Sequence, residues 1–412
     1  MLRTPSLVLS VVAATYGLSA MGDQMAMVAL TLRLHDQGES GAVISVLVIA
    51  SVVPIVVIGP LIGPLIDRVE SGRLIVVVTA FQAVVAAALA VVDNTAATIA
   101  LLALLGAGLA IVSPALQLVV PEIMGEDETA RGYARLDTFK SLGSVAGPAL
   151  AGVLVAAFDD RIALLCDAGS FAVMALVFAS LKVRREPVSL PTSRPRWAAQ
   201  VREGVGVLGQ DRLLRTAILS LASAIVFTAM LNVARVFFIR DDLNASDADY
   251  GVLVTAHTVG TLVAAALVAP RVPLSWQPRV LAGSGALMGA GLILGASVPI
   301  FAIVLIAFIL TGMANALQSL AIRNLIHGRV NTEVRGRAFA SSSAALNGAN
   351  LTGTALGGPA AAQLGGDGAL QLAGAGTLLA SLAAAPVLFQ RSEQQCRVGE
   401  NSSPEVEVAK DS

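Results

Sequence analysis

The sequence predicts an all-α integral membrane protein with twelve transmembrane helices, and three observations support that prediction. The 412 residues are 56% hydrophobic and only 13% charged, with a mean hydropathy of +0.78, whereas a soluble domain carries about 25% charged residues. The hydrophobic residues form long runs that suit the roughly 20 residues needed to cross a bilayer. The charged residues cluster in the short gaps between these runs. Because the bilayer core offers no water to backbone polar groups, each run is expected to be a helix.

Each predicted span is an apolar run bounded by polar or charged residues. In chain order the spans cover Leu7–Leu32, Val43–Ile66, Leu74–Val92, Thr95–Val120, Leu142–Phe158, Ile162–Leu181, Thr216–Ile239, Tyr250–Val268, Val280–Val298, Phe301–Ile322, Ala338–Gln363 and Leu370–Phe389. The first span follows Met1 closely and faintly resembles a signal peptide. It lacks a clear small-residue cleavage site and eleven further spans follow, so we expect it to be the first helix of the mature protein.

The basic residues predict which side of the membrane each gap faces, because Lys and Arg accumulate in cytoplasmic loops. With the N-terminus inside, all but four of the 27 Lys and Arg lie in gaps or termini on the cytoplasmic side. The four exceptions are Arg33, Arg161, Arg235 and Arg240. We therefore expect both termini to be cytoplasmic.

The chain also repeats itself, which predicts two six-helix halves. The matched stretches are Val28-Ala29 with Val233-Ala234, Ala115-Leu-Gln117 with Ala316-Leu-Gln318, and Gly147-Pro148 with Gly358-Pro359. Their offsets differ by only a few residues, as expected of duplicated halves, and such repeats are typical of secondary transporters. The expected organisation is an N-terminal half at 1–182, a cytoplasmic linker at 183–214, a C-terminal half at 215–390 and a polar cytoplasmic tail at 391–412.

The linker between the halves has two open interpretations. Trp197, Val201, Val205 and Leu208 share one face at helical spacing. That pattern fits an amphipathic helix lying on the inner membrane surface. An ordinary polar linker fits the composition equally well.

The gap between the second and third spans carries the pattern Gly63-Pro-Leu-Ile-Asp67-Arg68-Val-Glu70-Ser-Gly72-Arg73. Together with the twelve-span duplication, this pattern resembles the signature loop of the major facilitator superfamily. One residue is inserted between Asp67-Arg68 and Gly72-Arg73, a variant that resembles exporters of the enterobactin and macrolide efflux type. The resemblance covers nearly the whole chain up to about Arg391 and implies the fold of that superfamily.

The signature loop also has a physical interpretation that involves the start of span eleven. Asp67 lies at the C-terminal end of a helix, where a negative charge is unfavourable, so it needs a positive partner. Span eleven begins on the same side, and its positive N-terminal end follows Arg335 and Arg337. The resemblance implies that Asp67 docks there and clamps the halves together on the cytoplasmic side. Alternatively, Asp67 does no more than set topology, and Arg68 and Arg73 either set topology or pair with nearby acids or lipid phosphate.

Span five contains glycines spaced for close helix packing. Gly143, Gly147 and Gly152 follow a small-xxx-small type of pattern, and Pro148 bends the helix. The stretch resembles the span-five motif of exporters in the same superfamily, which supports outward transport. Lys140 lies just before it and is expected to form a structural i,i+3 ion pair with Asp137.

Polar and charged residues inside the spans are the candidate proton or substrate sites, because they are costly in a bilayer. Asp23 is the foremost candidate, since it shares a face of span one with Tyr16, Ser19 and Met27, and a carboxylate there could carry a proton. Its alternative role is to accept structural hydrogen bonds. The other candidates are Asp167, expected near the outer surface, Arg235 and Asn232 of span seven, Asn315 and Gln318 of span ten, and Asn347 and Asn350 of span eleven. Each of these could equally bind a neighbouring helix.

Several classes of site are excluded by the residues that the chain lacks. No Gly-x-x-x-x-Gly-Lys motif occurs, so ATP-driven export within this chain is not expected. No metal-ligand spacing or Gly-x-Ser-x-Gly elbow indicates an enzyme, and the net charge of −1 gives no indication of nucleic-acid binding. Neither a cofactor nor a metal is therefore expected. No Arg or Lys occurs between Arg73 and Arg131, so the span-four arginine of many proton antiporters in the superfamily is absent.

The leading expectation is a secondary transporter in a bacterial cell membrane. It would export a small amphipathic compound, such as a drug or siderophore, in exchange for protons by alternating access. Its partners would be that substrate, the proton and membrane lipid, and it would act as a monomer. An importer or a lysolipid flippase is the alternative within transport. A non-transporting scaffold or receptor is the alternative from another class, although a scaffold has no need of an intramembrane carboxylate such as Asp23.

Overall fold

The computed structural model describes residues 5–66, 69–125, 128–181 and 197–400, and these are helical apart from short turns. The helices are α1 Pro5–Asp36, α2 Gly41–Ile66, α3 Ser71–Val91, α4 Thr95–Met124, α5 Thr129–Ala157, α6 Asp160–Leu181, α7 Trp197–Gln210, α8 Arg212–Thr228, α9 Leu231–Phe237, α10 Asp247–Val263, α11 Gln277–Ser297, α12 Phe301–Arg329 and α13 Thr332–Glu400. Short π-helical turns follow α9 and α10, and two 3₁₀ turns lead into α11. The predicted all-α fold is confirmed.

Eleven stretches of the described residues are long and apolar enough to cross a bilayer. The last, Val334–Phe389, holds two crossings, because its 56 residues would extend about 84 Å as one helix, against a bilayer core of about 30 Å. The chain turns at Gly365, whose φ of 77° is left-handed, and the parts before and after it are here called α13a and α13b. Gly353 of α13a and Gly376 of α13b both lie against the 226–227 stretch of α8. The two parts therefore run antiparallel, and the described helices form the twelve predicted spans.

Span seven departs from the continuous helix that its apolar run predicts. α8 ends at Thr228, and α9 begins at Leu231 after a short turn. At this turn a Cβ on Gly357 of α13a would lie only 2.7 Å from the carbonyl oxygen of Met230. The break therefore lies where two helices approach closely, and apolar periodicity carries no sign of such a contact.

Equivalent helices of the two halves pack in equivalent ways. α1 packs against α5 and α6, and the α8–α9 span packs against α13a and α13b. α2 packs against α4 as α10 packs against α12, and α3 packs against α6 as α11 packs against α13b. This correspondence is the pseudo-symmetric arrangement that the sequence repeats predict.

The halves meet along two helix pairs, α5 with α10 and α2 with α13a. A Cβ on Gly152 of α5 would lie 3.0 Å from the Cα of Gly251 of α10. In the other pair, the N–H of Gly358 donates a hydrogen bond of 3.0 Å to the Oγ of Ser45. These contacts lie near the α1–α2 and α9–α10 turns, which mark the end of the molecule here called the α1–α2 end. The opposite end, with the α2–α3 and α4–α5 turns, is called the α2–α3 end.

Residues of the predicted linker form the helix α7, while a position of this helix on the inner membrane surface stays a prediction. Gly204 of α7 lies against the carbonyl group of Arg337, and Leu208 is buried in the core beside α8 and α12. Val205 is exposed, so the predicted apolar face is divided between core and surface. The side chains of Trp197 and Val201 lie outside the described part of the chain, as do residues 182–196 and 401–412.

Candidate functional site

A cavity of about 510 Å³ lies within the first half, between α1, α2, α4 and α5. It is lined by Tyr16, Ala20, Asp23, Gln24, Ile55, Leu109, Ala110, Ser113, Pro114, Lys140 and Ser144. A smaller cavity of about 180 Å³ adjoins it on the side of the α2–α3 end and shares Tyr16, Ser113 and Lys140 with it. The other residues of the smaller cavity are Leu116, Gln117, Tyr133, Leu136 and Asp137. Together the two cavities lead from the middle of the first half toward the α2–α3 end.

Asp23 reaches the larger cavity because α1 turns one face toward it. Tyr16, Asp23 and Gln24 lie at helical spacing on that face. The face is rotated slightly from the predicted one, since Ser19 is buried and Met27 packs against the hydrophobic core. The structure does bring the predicted pair of Tyr16 and Asp23 together.

Lys140 supplies the positive charge of the larger cavity. Its side chain is exposed, its Nζ lies 5.8 Å from the centroid of the Tyr16 ring, and it interacts electrostatically with Asp23. The predicted ion pair with Asp137 is not formed, because within the described ranges Lys140 has no carboxylate within 4 Å. Instead α5 turns Lys140 toward α1.

The position of Lys140 has a signal in the sequence that the ion-pair interpretation overlooks. Lys140 lies three residues before Gly143 and seven before Gly147, and both glycines pack against the backbone of α1. Intervals of three and seven keep residues on one helix face. A charged residue on the face of α5 that contacts α1 is therefore expected close to Asp23.

Asp167 lies beside the larger cavity without lining it. It is fully buried on α6, and a side chain at Gly22 of α1 would collide with its carboxylate. Neither carboxylate oxygen has a hydrogen-bond partner among the residues that the structure describes, and burying an unpartnered charge is costly. Its depth in the bilayer, expected to be near the outer surface, stays a prediction. Arg161, on which it depended, pairs instead with Asp93 at 3.2 Å on an exposed helix end.

The candidates in the second half lie apart from the first-half cavity. Asn232 donates a hydrogen bond of 3.0 Å to the Oγ1 of Thr354 and so joins α9 to α13a. The guanidinium carbon of Arg235 lies 6.0 Å from the centroid of the Tyr250 ring. These contacts give both residues a partner within the second half.

The amide candidates of α12 and α13a are spread over different environments. Gln318 is buried, with its Nε2 close to Gly285 of α11. Asn315 and Asn350 are half-buried, and Asn347 is exposed. The structure does not gather them around one described cavity.

The signature loop falls only partly within the described residues. Asp67 and Arg68 lie outside them, so the clamp stays a prediction. Gly63 lies near the end of α2, and Gly72 is buried at the start of α3 with Arg73 exposed beside it.

The arginines at the start of α13a order the turn that precedes it. The Nε of Arg335 donates to the carbonyl oxygen of Val330 at 3.2 Å, and its guanidinium lies 3.4 Å from the Nε2 of His327. Arg337 is half-buried, and its carbonyl group contacts α7. This is the turn at which the clamp with Asp67 is predicted.

At the α1–α2 end, a group of charged residues joins the two halves. His35 of α1 lies 3.0 Å from the Oδ1 of Asp241, its partner 206 residues along the chain. Arg240 lies 3.7 Å from the carboxylate of Asp36 and 3.2 Å from that of Asp247. These five residues are here called the clasp. Local sequence patterns do not predict it, because its partners come from opposite halves.

The sequence of this chain is similar to a known family and to curated proteins. A sequence model described as Major Facilitator Superfamily matches the chain twice, at residues 12–237 and 217–407. An uncharacterized MFS-type transporter, YfiS of Bacillus subtilis (strain 168), is 24% identical over 353 residues, which are 84% of each chain. Macrolide efflux protein A of Streptococcus pyogenes is 22% identical over 324 residues, which are 76% of this chain and 78% of that protein.

Solved structures share the fold at low sequence identity. A bacterial homolog of the human lysosomal transporter Spinster, in an inward-facing and unoccupied conformation, aligns with a TM-score of 0.72 at 14% identity and covers 96% of this chain and 98% of its own. The nucleoside transporter NupG aligns with a TM-score of 0.72 at 12% identity, covering 96% and 100%. At such identities the likeness establishes the fold alone.

Proposed function

The chain belongs to the major facilitator superfamily and is a multi-pass membrane transporter, and on that premise we propose that it is a proton-coupled exporter of small amphipathic compounds. The observation that carries the proposal is the position of Asp23, a carboxyl group in a cavity at the middle of the first half. An acid at membrane depth can take up and release a proton as the cavity changes sides.

The two ends of the molecule support an inward-facing state. The halves touch at the α1–α2 end through the clasp and through the contact of Gly152 with Gly251. The cavities lead toward the α2–α3 end, and most of the described basic residues lie on that side. The positive-inside rule assigns such an end to the cytoplasm. In this proposal, substrate enters the cavity from the cytoplasm.

The proposed cycle exchanges a proton for substrate at Asp23. Substrate binds from the cytoplasm as Asp23 releases its proton there. The halves then rock about the cavity, the clasp opens, substrate leaves, and Asp23 takes a proton from the outside. Each proton that enters gains roughly 2.3 kcal/mol per 100 mV of membrane potential. Asp167, packed against Gly22, serves as a second proton-binding group in this proposal.

Export is proposed over import for two reasons. The glycines of α5 resemble the span-five motif of exporters, and Gly143 and Gly147 pack tightly against α1. One relative is named a macrolide efflux protein. An importer or a lysolipid flippase would move its substrate in the opposite direction or between leaflets, so direction is the quantity to measure.

Transport into proteoliposomes with the cytoplasmic side outward tests the proposal. Ethidium, erythromycin and dansyl cadaverine serve as probes, and an acidic lumen supplies the proton gradient. We expect gradient-driven uptake of at least one probe, and we expect Asp23→Asn to abolish it. Uptake that is equal without the gradient, or that requires the reversed gradient, would contradict proton-coupled export.

A further inference from the structure

Among the described residues, the larger cavity of the first half is lined by one acid, one base and no other charged side chain. Asp23 projects from α1 and Lys140 from α5, and the two interact electrostatically. Their charges sum to zero. Any ligand that enters is therefore matched against one negative and one positive group.

These two groups are not locked to each other. Across the described residues Lys140 makes no ion pair within 4 Å, and its Nζ lies 5.8 Å from the centroid of the Tyr16 ring. A ring face is a weaker partner for an ammonium group than a carboxylate is. Lys140 also lines the smaller cavity on the side of the α2–α3 end. It is therefore available to an anionic group that enters from that end.

Charge matching decides which ligand suits the pair. A purely cationic ligand at Asp23 leaves Lys140 without a counter-charge once the cavity closes, and a purely anionic ligand at Lys140 does the same to Asp23. An unpaired charge in a low-dielectric site is costly. A ligand that carries both a cationic and an anionic group leaves neither residue unpaired.

The remaining wall of the cavity favours a ligand with an apolar body. Ile55, Leu109, Ala110 and Pro114 supply apolar surface from α2 and α4. Gln24 of α1 and Ser144 of α5, together with Ser113 of α4, supply hydrogen-bonding groups. A compound with an apolar end and a dipolar end matches both kinds of wall.

We propose that this cavity binds zwitterionic amphipathic compounds, with the ammonium group at Asp23, the anionic group at Lys140 and the apolar body against α2 and α4. The proposal rests on the transport function proposed above and names its substrate class. It also supplies a basis for exchange, since the ligand's ammonium group and a proton compete for one carboxylate. The only covalent change is loss of the proton from the Asp23 carboxyl group to water as the ligand binds.

Three dansyl compounds that share one apolar group test this assignment. Nε-dansyl-lysine is zwitterionic, dansyl cadaverine is the same molecule without its carboxylate, and N-dansyl-6-aminohexanoate is the matching anion. Binding to the purified protein in detergent is followed by dansyl fluorescence. We expect the wild-type protein to bind the zwitterion roughly tenfold more tightly than either relative, the scale of one charge-assisted hydrogen bond.

Substitutions of the two charged residues should change the ranking in opposite ways. Lys140→Gln should lower the affinity for the zwitterion to that for the cation, and Lys140→Arg should retain the preference. Asp23→Asn should lower the affinity for the zwitterion to the affinity for the anion. Arg131→Gln is the matched control, because it removes a positive charge from the same helix at a side chain that is 83% exposed and lines neither cavity. It should leave the ranking unchanged.

Three results would overturn the assignment. They are equal affinities of the wild-type protein for the three compounds, an undiminished zwitterion preference in Lys140→Gln, and binding of none of the three. Because this assay needs neither a membrane nor a pH gradient, its outcome is separate from that of the export test. A preserved ranking without gradient-driven transport would contradict the proposed coupling and leave the substrate class standing.

Discussion

The two halves of the protein share a fold but differ in where they carry charge. Asp23 corresponds to Thr228 by the repeat offset of 205 residues. Lys140 corresponds to Leu346, because Gly147 lies against Met21 as Gly353, 206 residues later, lies against Val226. The second half therefore lacks both charged residues of the first-half cavity. The backbone differs at the same place, since α1 runs unbroken through Asp23 whereas α8 ends at Thr228.

The helix packing of the two halves is alike despite this difference. Gly143 and Gly147 of α5 meet the backbone of α1, and Gly353 and Gly357 of α13a meet the backbone of the α8–α9 span. Close packing depends on small residues at fixed intervals, which a duplication retains in both halves. The architecture is therefore common to both halves, while the proposed coupling chemistry belongs to the first.

The largest effect is expected from removing the first-half acid while leaving its second-half counterpart intact. Asp23→Asn should abolish gradient-driven export, because an amide cannot carry the proton, and should change probe affinity by no more than about tenfold, or 1.4 kcal/mol. Thr228→Val is the matched control and should transport normally. The measurement is initial uptake into proteoliposomes. Equal loss in both variants would break the assignment of coupling to the first half.

A large effect of equal size in both halves is expected at the packing glycines. Gly143→Ala places a Cβ against the Gly17 carbonyl group, and Gly353→Ala places one against the Val226 carbonyl group. Overpacking of this kind costs about 1–3 kcal/mol. Each variant should lower the Tm of the detergent-solubilised protein. Gly169→Ala, which meets nothing within 4 Å, should leave it unchanged, and an equal loss there would remove the packing explanation.

A moderate effect is expected at the clasp, which holds the halves together at the α1–α2 end. The double variant Arg240→Gln/Asp241→Asn should raise the population open at that end by several-fold, because each partly exposed ion pair contributes about 1 kcal/mol or less. Maleimide labelling of Ser45→Cys, buried at that end, reports the change in a background that lacks the two native cysteines.

Asp93→Asn is the control for the clasp, since its ion pair with Arg161 at the same end lies within the first half. It should leave the labelling rate of Ser45→Cys unchanged. A clasp variant that labels no faster than this control would show that the helix contacts alone keep the end closed.

The smallest effect is expected at Asp211, which caps α8 in the second half. Partial burial raises the pKa of this carboxyl group, but hydrogen bonds from the Arg329 side chain and from the N–H groups of Leu213 and Leu214 outweigh burial and lower its pKa. The ionised form therefore stabilises the fold. This stabilisation is fully present at pH values above the ordinary pKa of 3.8, and it is lost as the pH falls through the lowered pKa. Asp211→Asn should lower the Tm near neutral pH by the equivalent of at most about 1 kcal/mol. The difference should vanish in acid, whereas Ser6→Ala, at the corresponding first-half position, should show no such pH dependence.

The spans could be predicted from the sequence because bilayer crossing depends on composition and length alone. The same information cannot place the break between Thr228 and Leu231, because that turn lies at a contact with another helix. The burial of Asp167 between helices could not be predicted for the same reason. This residue is buried by the approach of α1 at Gly22, and the nearby Arg161 carries no information about that approach.

The candidate site could be predicted in part. The polar face of α1 correctly joins Tyr16 to Asp23, because residues on one helix share a face by spacing alone. The position of Lys140 in the site could be predicted only by knowing which face of α5 meets α1. The clasp could be predicted only by knowing which loops of the two halves adjoin, and no local pattern in the sequence contains that information.

The most direct test of the central claim is whether Asp23 exchanges a proton when the cavity is filled. Dansyl cadaverine is added to purified protein in weakly buffered detergent solution, and a pH electrode records the protons released per bound ligand. Its ammonium group competes with the proton for Asp23 whether or not Lys140 selects an anion. We predict that the wild-type protein releases protons on binding, that Thr228→Val does the same, and that Asp23→Asn releases none. Equal proton release from Asp23→Asn would contradict the claim that the first-half carboxyl group couples transport to the proton.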